Sequence, residues 1–241
     1  MAEGIRLNAY ISSCGVCSRR AADKLITSGR VFVNDKSAAL GALIREGDEV
    51  TVDGKKIEPV DKKVIIAVNK PIGVVCTEAH FKNEKTLSEL VNYPTRLFSI
   101  GRLDKNSEGL ILMTNDGKLA QEISKGKNSY EKEYEVRVNK VITKEFLEKM
   151  RGGLDIKIDD RTYKTKPCKI KKTGPNTFNI ILTQGLNRQI RRMCEALEFR
   201  VLSLKRIRVM NINLAGLNEG TFRRLKPEEI KELEKLTSKE A

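Results

Sequence analysis

The fold is decided by the stretch Gly101–Leu110, which reads GRLDKNSEGL and lies between two short apolar runs, Leu97–Ile100 and Leu110–Met113. Both runs are predicted to be β-strands, because they are short, apolar and bounded by residues that break regular structure. The loop between them holds Asp104 between basic neighbours. A carboxylate flanked by cations stays ionised and can act as a nucleophile or a general base. An ion pair in a surface turn is the alternative interpretation of the same residues.

The composition restricts the class of protein. The 241 residues carry a formal net charge of +14, which indicates a polyanionic partner such as RNA or DNA. No apolar run approaches the length of a membrane span, and the N-terminus has no secretory pattern. Five cysteines, an odd number, are typical of reduced thiols in the cytoplasm. We therefore expect a cytoplasmic protein that does not contact a membrane.

The charge is unevenly distributed along the chain. Residues 1–62 contain ten basic and nine acidic side chains, a net charge of only +1, so the remainder carries +13. The segment Arg188–Arg224 alone has nine basic residues against three acidic ones. A polar stretch with a proline, Glu58–Lys63, separates two apolar strands and is typical of a domain boundary. The sequence predicts a small domain over residues 1–62 and a larger one over 63–241.

The N-terminal part reads as two helices followed by short strands. Apolar residues recur at helical spacing from Leu7 to Cys14, and Ser18 is a good N-cap for a second helix that Gly29 ends. Strands follow at 31–33 and at 49–52, the second of which leads into a hairpin turn.

Four cations cluster on or beside the second helix: Arg19, Arg20, Lys24 and Arg30. Arg20 and Lys24 are four residues apart and so share a helix face. Charge alone leaves two interpretations open, a solvated helix face and an RNA-binding face.

Cys14 and Cys17 form a Cys-x-x-Cys pair, which raises the question of zinc or redox chemistry. Zinc needs two further ligands, but the chain has a single histidine, His80, and its other cysteines are scattered. Redox motifs of this kind also belong to a different surrounding fold. Both cysteines are predicted to be packing residues at the helix junction, and we expect neither a metal nor a cofactor.

The larger part is predicted to be α+β, with a central mixed sheet that is mostly antiparallel and flanked by helices. Val64–Asn69 reads as a buried strand, the next four residues as a turn, and Val74–Thr77 as the returning strand. The remaining predicted elements are helices at 86–91, 117–124, 142–150, 188–197 and 227–236, and strands at 134–138, 178–182 and 201–209.

Two parts of the chain resemble known families. Residues 6–48, with CSRRAA at 17–22, resemble the S4 RNA-binding domain. Three later motifs resemble the RsuA/RluB/RluE/RluF group of rRNA pseudouridine synthases. They are GRLDKNSEGL with LMTNDG at 112–117, KEY at 132–134, and QGLNRQIRRMC at 184–194. Residues 187–189 and 202–211 are most similar to the F-type large-subunit enzymes of that group.

The S4 resemblance implies that the small domain binds structured RNA by contacting the RNA phosphates. The second resemblance implies conversion of uridine to pseudouridine, a reaction that needs no cofactor. Asp104 matches the catalytic aspartate, Arg191 its basic partner, and Tyr134 the tyrosine that stacks on the uracil. Without the resemblance, Tyr134 would be an ordinary strand aromatic and Arg191 a helix-surface charge.

The same resemblance extends to RNA contacts. A stacked uridine must be flipped out before Asp104 can reach its sugar, and Arg102 matches the arginine that occupies the vacated space. Phosphate contacts along the entry groove are expected from five further basic residues: Arg188, Arg192, Lys205, Arg206 and Arg208.

The expected substrate is a uridine of large-subunit (23S) ribosomal RNA, with a tRNA anticodon-loop uridine as a second target. A small-subunit (16S) uridine is the alternative for the same reaction. Two other functions stay open at this level: a non-catalytic RNA-binding protein of ribosome assembly, and a metal-dependent nuclease. The nuclease would need several clustered acids or histidines for a divalent ion. The motif regions offer Asp104, Glu108 and Asp116 but no histidine, and their excess of cations would repel Mg²⁺. We expect a monomer, because no large apolar interface is evident.

Overall fold

The computed structural model describes residues 4–60, 62–77, 84–124 and 130–238. The chain divides into two compact units. The first comprises residues 1–64 with the short segments 93–97 and 115–117, and the second comprises 65–92, 98–114 and 118–241.

The described part of the first unit contains two helices and six short strands. The helices are α1 Leu7–Ser13 and α2 Arg19–Thr27; the strands are β1 Ile5–Arg6, β2 Val31–Val33, β3 Lys36–Ser37, β4 Leu43–Ile44, β5 Val50–Val52 and β6 Lys55–Lys56. β1 pairs with β4, and the other four strands form a sheet in the order β3-β2-β5-β6. Apolar residues of both helices and of the central strands form its core, among them Leu7, Ile11, Ile26 and Val31.

Local sequence signals explain these elements. The Ser18 hydroxyl accepts a hydrogen bond from the Ala21 N–H at 3.2 Å, which confirms the predicted N-cap of α2. The hairpin after β5 turns at Asp53 and Gly54 with φ of 51° and 75°, the left-handed values of a two-residue hairpin loop. Both helices, the strand at 31–33 and this turn are therefore confirmed.

The second unit is built around one large sheet. The strands of this unit are β7 Ile65–Lys70, β8 Phe98–Ile100, β9 Glu108–Thr114, β10 Lys132–Val138, β11 Asp155–Ile158, β12 Arg161–Lys164, β13 Lys169–Gly174, β14 Thr177–Leu182, β15 Val201–Val209, β16 Ile212–Asn213 and β17 Phe222–Arg224. β11 and β12 pair only with each other, and the other strands belong to the large sheet. Its helices are α3 Leu87–Val91, α4 Gly117–Ser124, α5 Lys144–Gly152, α6 Gln189–Glu195 and α7 Pro227–Ser238.

The described sheet has nine strands in the order β13-β14-β10-β15-β9-β7-β17, with β16 added beside β15 and β8 beside β9. β15 and β9 run parallel, and the other pairs are antiparallel. Helices supply apolar side chains to the cores against the sheet, among them Ile123, Phe146, Met193 and Leu233. The predicted α+β class with a mostly antiparallel mixed sheet is confirmed.

One predicted strand is wrong. Val74–Thr77 does not return along β7, because β9 and β17 already pair with the two edges of β7. Val75 instead forms an isolated parallel bridge with Thr86: its N–H donates to the Lys85 carbonyl and its own carbonyl accepts from Leu87. The partner that displaces it, β17, lies about 150 positions further along the chain and cannot be found by local pattern.

The hairpin β11–β12 and strand β13 were not predicted. β12 is fully exposed along its length, so it lacks the apolar alternation that identifies a strand in sequence. Among the described residues, no helix is long and apolar enough to cross a membrane.

Candidate active site

A cavity of about 330 Å³ lies on the face of the sheet that carries Tyr134 and Leu204. The loop 101–104, the strands β10 and β15, and the segment 182–190 line it. The three motifs at 101–110, 132–134 and 184–194 therefore meet at one cavity. Asp104 is the only carboxylate that lines it in the described part of the chain.

The loop that carries Asp104 is held by backbone geometry. Gly101 and Gly109 both adopt positive φ, of 72° and 103°. A Cβ at Gly109 would lie 2.3 Å from the carbonyl oxygen of Arg206, because β9 and β15 pair in parallel at these two residues. The glycine is thus required for both its conformation and the close approach of β15. The Ser107 N–H donates to the Asp104 carbonyl at 3.0 Å and closes the turn.

Lys70 lies next to this loop, and its side chain is fully buried at the end of β7. Its ammonium donates to the carbonyl oxygens of Pro71 and Val74, each at 2.8 Å. Burial lowers the pKa of Lys70, while nearby acidic groups, among them Asp104, act to raise it. Lys70 therefore contributes positive potential at the loop without forming an ion pair with Asp104. The residue pattern predicts only that Lys70 lies at a turn, and does not predict a buried cation near Asp104.

Asp104 itself is half-buried, and no described residue donates a hydrogen bond to its carboxylate. The group is therefore open to the cavity. Tyr134 also lines the cavity, half-buried on β10 between Ile180 of β14 and Arg206 of β15.

Arg191 projects from α6 toward the Asp104 loop. Its Nη2 donates to the Asn106 carbonyl at 2.6 Å, while its Nε is buried without a partner. Burial and then Arg188 lower the pKa of Arg191, and the Asp104 carboxylate acts in the opposite direction. In the described residues Arg191 forms no ion pair with Asp104, so the structure shows it anchoring the loop two residues beyond the carboxylate.

The predicted RNA-contacting cations of this unit take different positions. Arg102 and Arg188 are exposed and line the cavity, whereas Arg206 lines it from a buried position, 3% exposed. Arg188 occupies the N-cap of α6 with a left-handed φ of 53°, an uncommon conformation for a residue with a Cβ.

Lys205, Arg208 and Arg192 do not line this cavity, so their predicted phosphate contacts along an entry groove stay a prediction. Lys205 lines a separate cavity with Glu135. Arg208 pairs with Glu131 and Glu133, each at 3.0 Å. Arg192 donates to the carbonyls of Asn187 and Lys157. Side chains alternate across a strand, which sends Lys205 away from the cavity, and a register shift after Glu133 turns Arg208 away as well.

In the first unit, Arg19, Arg20 and Lys24 are exposed on α2. Arg30 differs, because its guanidinium makes two hydrogen bonds to Asp53, at 2.6 and 2.5 Å. These bonds lower the pKa of Asp53. Arg30 is therefore already paired with a carboxylate of its own unit.

Cys14 and Cys17 are half-buried free thiols, and burial raises the pKa of both, that of Cys14 to about 11. A raised pKa makes a thiol a poorer nucleophile and metal ligand at neutral pH. No cluster of three or more His, Cys, Asp or Glu able to hold a metal exists within the described ranges, which exclude His80.

Two further residues of the site have roles that the sequence does not reveal. Lys132 belongs to the KEY motif without an assigned role, yet it lines the cavity beside Tyr134. Burial and then Arg206 lower the pKa of its ammonium. For Gly109, the sequence indicates only a tight loop. Its role depends on the approach of β15, about a hundred residues later.

Two family models match the chain. The model described as RNA pseudouridylate synthase matches residues 64–196, and the S4 domain model matches residues 5–50.

Several curated proteins are similar over nearly the whole chain. The dual-specificity RNA pseudouridine synthase RluF of Salmonella typhi is 48% identical over 233 residues, which cover 96% of this chain and 79% of that protein. RluF of Escherichia coli K12 is 47% identical over 234 residues with the same coverage. The ribosomal large subunit pseudouridine synthase B of Bacillus subtilis is 36% identical over 239 residues, 96% of each chain.

A solved structure described as a pseudouridylate synthase shares the fold. It superposes with a TM-score of 0.70 at 27% identity and covers 95% of this chain and 99% of its own.

Proposed function

The chain belongs to the RNA pseudouridylate synthase family, carries an S4 domain and is an RNA pseudouridine synthase, and from this premise we propose that it modifies a uridine of large-subunit (23S) rRNA with Asp104 as its catalytic group. The observation that carries the proposal is the position of Asp104. Its carboxylate is open to a cavity otherwise lined by cations, apolar groups and neutral polar groups.

The reaction requires little beyond this carboxylate. The N1–C1′ bond of uridine breaks, the uracil turns, and C5 bonds to C1′; a proton leaves C5 and one is gained at N1. Asp104 serves this isomerisation either by attacking C1′ or by removing the C2′ proton. Both routes use the carboxylate of Asp104, and two cations lie near its loop, Lys70 at the end of β7 and Arg191 on α6.

Three neighbouring side chains have supporting roles in the proposal. Tyr134 offers a ring face for the uracil inside the cavity. Arg191 keeps the loop in place through its hydrogen bond to Asn106. Arg102, exposed at the cavity, fills the space that the flipped uridine leaves in the RNA. Loss of turnover in Arg102→Ala with little loss of RNA affinity is the expected signature of that role.

RNA binding in the proposal rests on exposed cations. Arg19, Arg20 and Lys24 on α2 contact phosphates of the folded RNA, and Arg188 contacts phosphates at the cavity. The proposal includes a monomer that acts in the cytoplasm without a metal.

The choice of substrate follows the relatives. The RluF proteins are named dual-specificity RNA enzymes, and the Bacillus subtilis relative is named for the large ribosomal subunit. The Bacillus subtilis name favours the large-subunit rRNA target, and the RluF names favour a second RNA target. For that second target we propose the tRNA anticodon-loop uridine that the family resemblance implies. A 16S rRNA uridine is the alternative target of the same reaction.

The test is pseudouridine mapping in rRNA and tRNA from cells that lack the gene, complemented with wild type, Asp104→Asn or Asp155→Asn. We expect one large-subunit uridine to lose its modification in the deletion strain. Wild type and Asp155→Asn restore it, because Asp155 lies on the exposed side of the hairpin strand β11. Asp104→Asn does not restore it, although the purified variant still binds the RNA.

A different outcome separates the parts of the proposal. Restoration by Asp104→Asn would remove Asp104 from the chemistry. Loss of a 16S site instead of a 23S site would replace the substrate and leave the reaction unchanged.

A further inference from the structure

Arg206 is a buried cation without a carboxylate partner. Its side chain is 3% exposed, and its Nε donates to the Leu110 carbonyl at 2.6 Å. Its Nη2 is buried and has no hydrogen-bond partner, and no ion pair reaches it from the described residues. A buried charged donor left unpaired is costly, so an acceptor supplied by a ligand would relieve a defect of the free protein.

The environment of Arg206 shows where that acceptor would lie. Arg206 lines the cavity that contains Asp104, and Tyr134 is its direct neighbour on the adjacent strand. Lys132, two residues before Tyr134 on the same face of β10, brings a second cation to the cavity. The repulsion between Lys132 and Arg206 contributes to the lowered pKa of Lys132. The side of the cavity near Tyr134 therefore attracts electron-rich atoms.

The remaining lining distinguishes a base from a phosphate. Leu182, Leu204 and Val209 line the same cavity, and all three are buried. An apolar wall suits the faces of a ring, whereas a phosphate needs several donors around its oxygens. A uracil ring presents two carbonyl oxygens at its edge, which are the acceptors that a guanidinium N–H can reach.

We propose that Arg206 is a specificity-determining residue that donates a hydrogen bond to a carbonyl oxygen of the flipped uracil. This inference rests on the proposed function, because it takes the base in the cavity to be uracil. A donor at this position favours a base with a carbonyl oxygen there and disfavours one with an amino group, so a contact at O4 excludes cytosine.

The experiment compares one RNA hairpin, built around the mapped uridine, with versions carrying 4-thiouridine or 2-thiouridine at that position. Sulfur is a weaker hydrogen-bond acceptor than oxygen. Single-turnover rates are measured for wild type, Arg206→Met and Arg206→Lys, with Arg137→Met as the control. Arg137 is an exposed arginine on β10, outside the cavity.

We expect wild type to convert one of the two thio-RNAs about tenfold more slowly than the uridine RNA, the size of a hydrogen bond to a charged donor. Arg206→Met slows the reaction of the uridine RNA but brings the ratio of its rate to that of the sensitive thio-RNA close to one. Arg206→Lys keeps part of the ratio, and Arg137→Met keeps all of it.

The rate ratio is measured on a single enzyme and therefore does not depend on the fraction of folded protein. Where Arg206→Met does not fold, Arg206→Lys decides, because its displaced donor must alter the ratio. Equal rates of wild type on all three RNAs overturn the inference, as does an unchanged ratio in the Arg206 variants.

A phosphate contact and an inactive enzyme each give a distinct result. If Arg206 contacts a phosphate, Arg206→Met slows all three RNAs equally and weakens the salt dependence of binding, which overturns the inference. A wild-type enzyme that is inactive on the uridine hairpin contradicts the proposed function instead.

Discussion

Arg206 and Arg208 are two residues apart on β15, yet their surroundings differ completely. Arg206 lines the Asp104 cavity without a carboxylate partner, and Arg208 is held by Glu131 and Glu133. The register shift opposite Glu133 is what places them on different faces of the sheet. Arg208 is satisfied by carboxylates of the protein itself, whereas Arg206 keeps a buried donor without a hydrogen-bond partner.

The first unit repeats this contrast. Arg20 and Lys24 are exposed on α2 and form no ion pair with described residues, whereas Arg30 is bound by Asp53 through two hydrogen bonds. Net charge therefore overstates the surface available to RNA, because part of it is neutralised within the protein.

The largest expected effect comes from replacing the two β15 arginines separately. Arg206→Met lowers kcat/KM by about 10- to 100-fold, the loss of a hydrogen bond from a charged donor. Its free energy of unfolding changes by about 1 kcal/mol or less, because removal of an unpaired buried charge offsets the lost bond to Leu110.

Arg208→Met is expected to affect stability more than catalysis. It removes the ion pair of Glu133 and leaves Glu131 paired with Lys169 alone, which lowers the free energy of unfolding by about 1 kcal/mol, with a smaller change in kcat/KM than Arg206→Met. Urea unfolding and steady-state kinetics on the same preparations test both variants. Equal kinetic losses in the two would contradict the contrast between the faces.

A smaller effect is expected from pH. Hydrogen bonds from Lys169 and then Arg208 lower the pKa of Glu131 below 4.5. The carboxylate therefore stabilises the fold above pH 4.5, and this contribution is lost as the pH falls through its folded-state pKa. Glu131→Gln lowers the free energy of unfolding by about 1 kcal/mol at pH 7, and the difference from wild type disappears in acid.

Urea unfolding between pH 7 and pH 3 measures this difference. Glu148→Gln is the control, because Glu148 is exposed on α5 and forms no ion pair among the described residues. If the difference in the free energy of unfolding between wild type and Glu131→Gln is constant with pH, the ion pairs of Glu131 do not stabilise the fold.

The smallest effect is expected in RNA binding by the first unit. The double variant Arg20→Gln/Lys24→Gln reduces the slope of log affinity against log salt by about 1 to 2, because each phosphate contact releases close to one counterion. Arg30→Gln changes the slope less, since Asp53 already neutralises Arg30. Fluorescence anisotropy with a labelled rRNA fragment over a salt series measures both. An equal change of this slope in Arg30→Gln would show that Arg30 leaves Asp53 and contacts the RNA.

Local patterns were sufficient for much of the site. The Asp104 loop lies between two strands as its flanking apolar runs indicate, and Tyr134 is on a strand that alternates in sequence. The strand predicted at Val74–Thr77 was wrong for a non-local reason, because β17 takes the edge of β7 that this segment would have used. The exposed strand β12 offered no apolar pattern to detect.

By itself, the sequence determined the two-part organisation, the basic character, the element types and the motifs that carry the family resemblance. These properties depend on composition and on spacings of a few residues, which the chain order alone specifies. The tertiary structure decided which cations are free. Arg206 and Arg208 look equivalent in sequence. Only the pairing of β15 with β10 and β9 buries Arg206 at the cavity and places Arg208 beside Glu131 and Glu133. Electrostatic partners are chosen by distance in space, and a bulge of one residue is enough to exchange them.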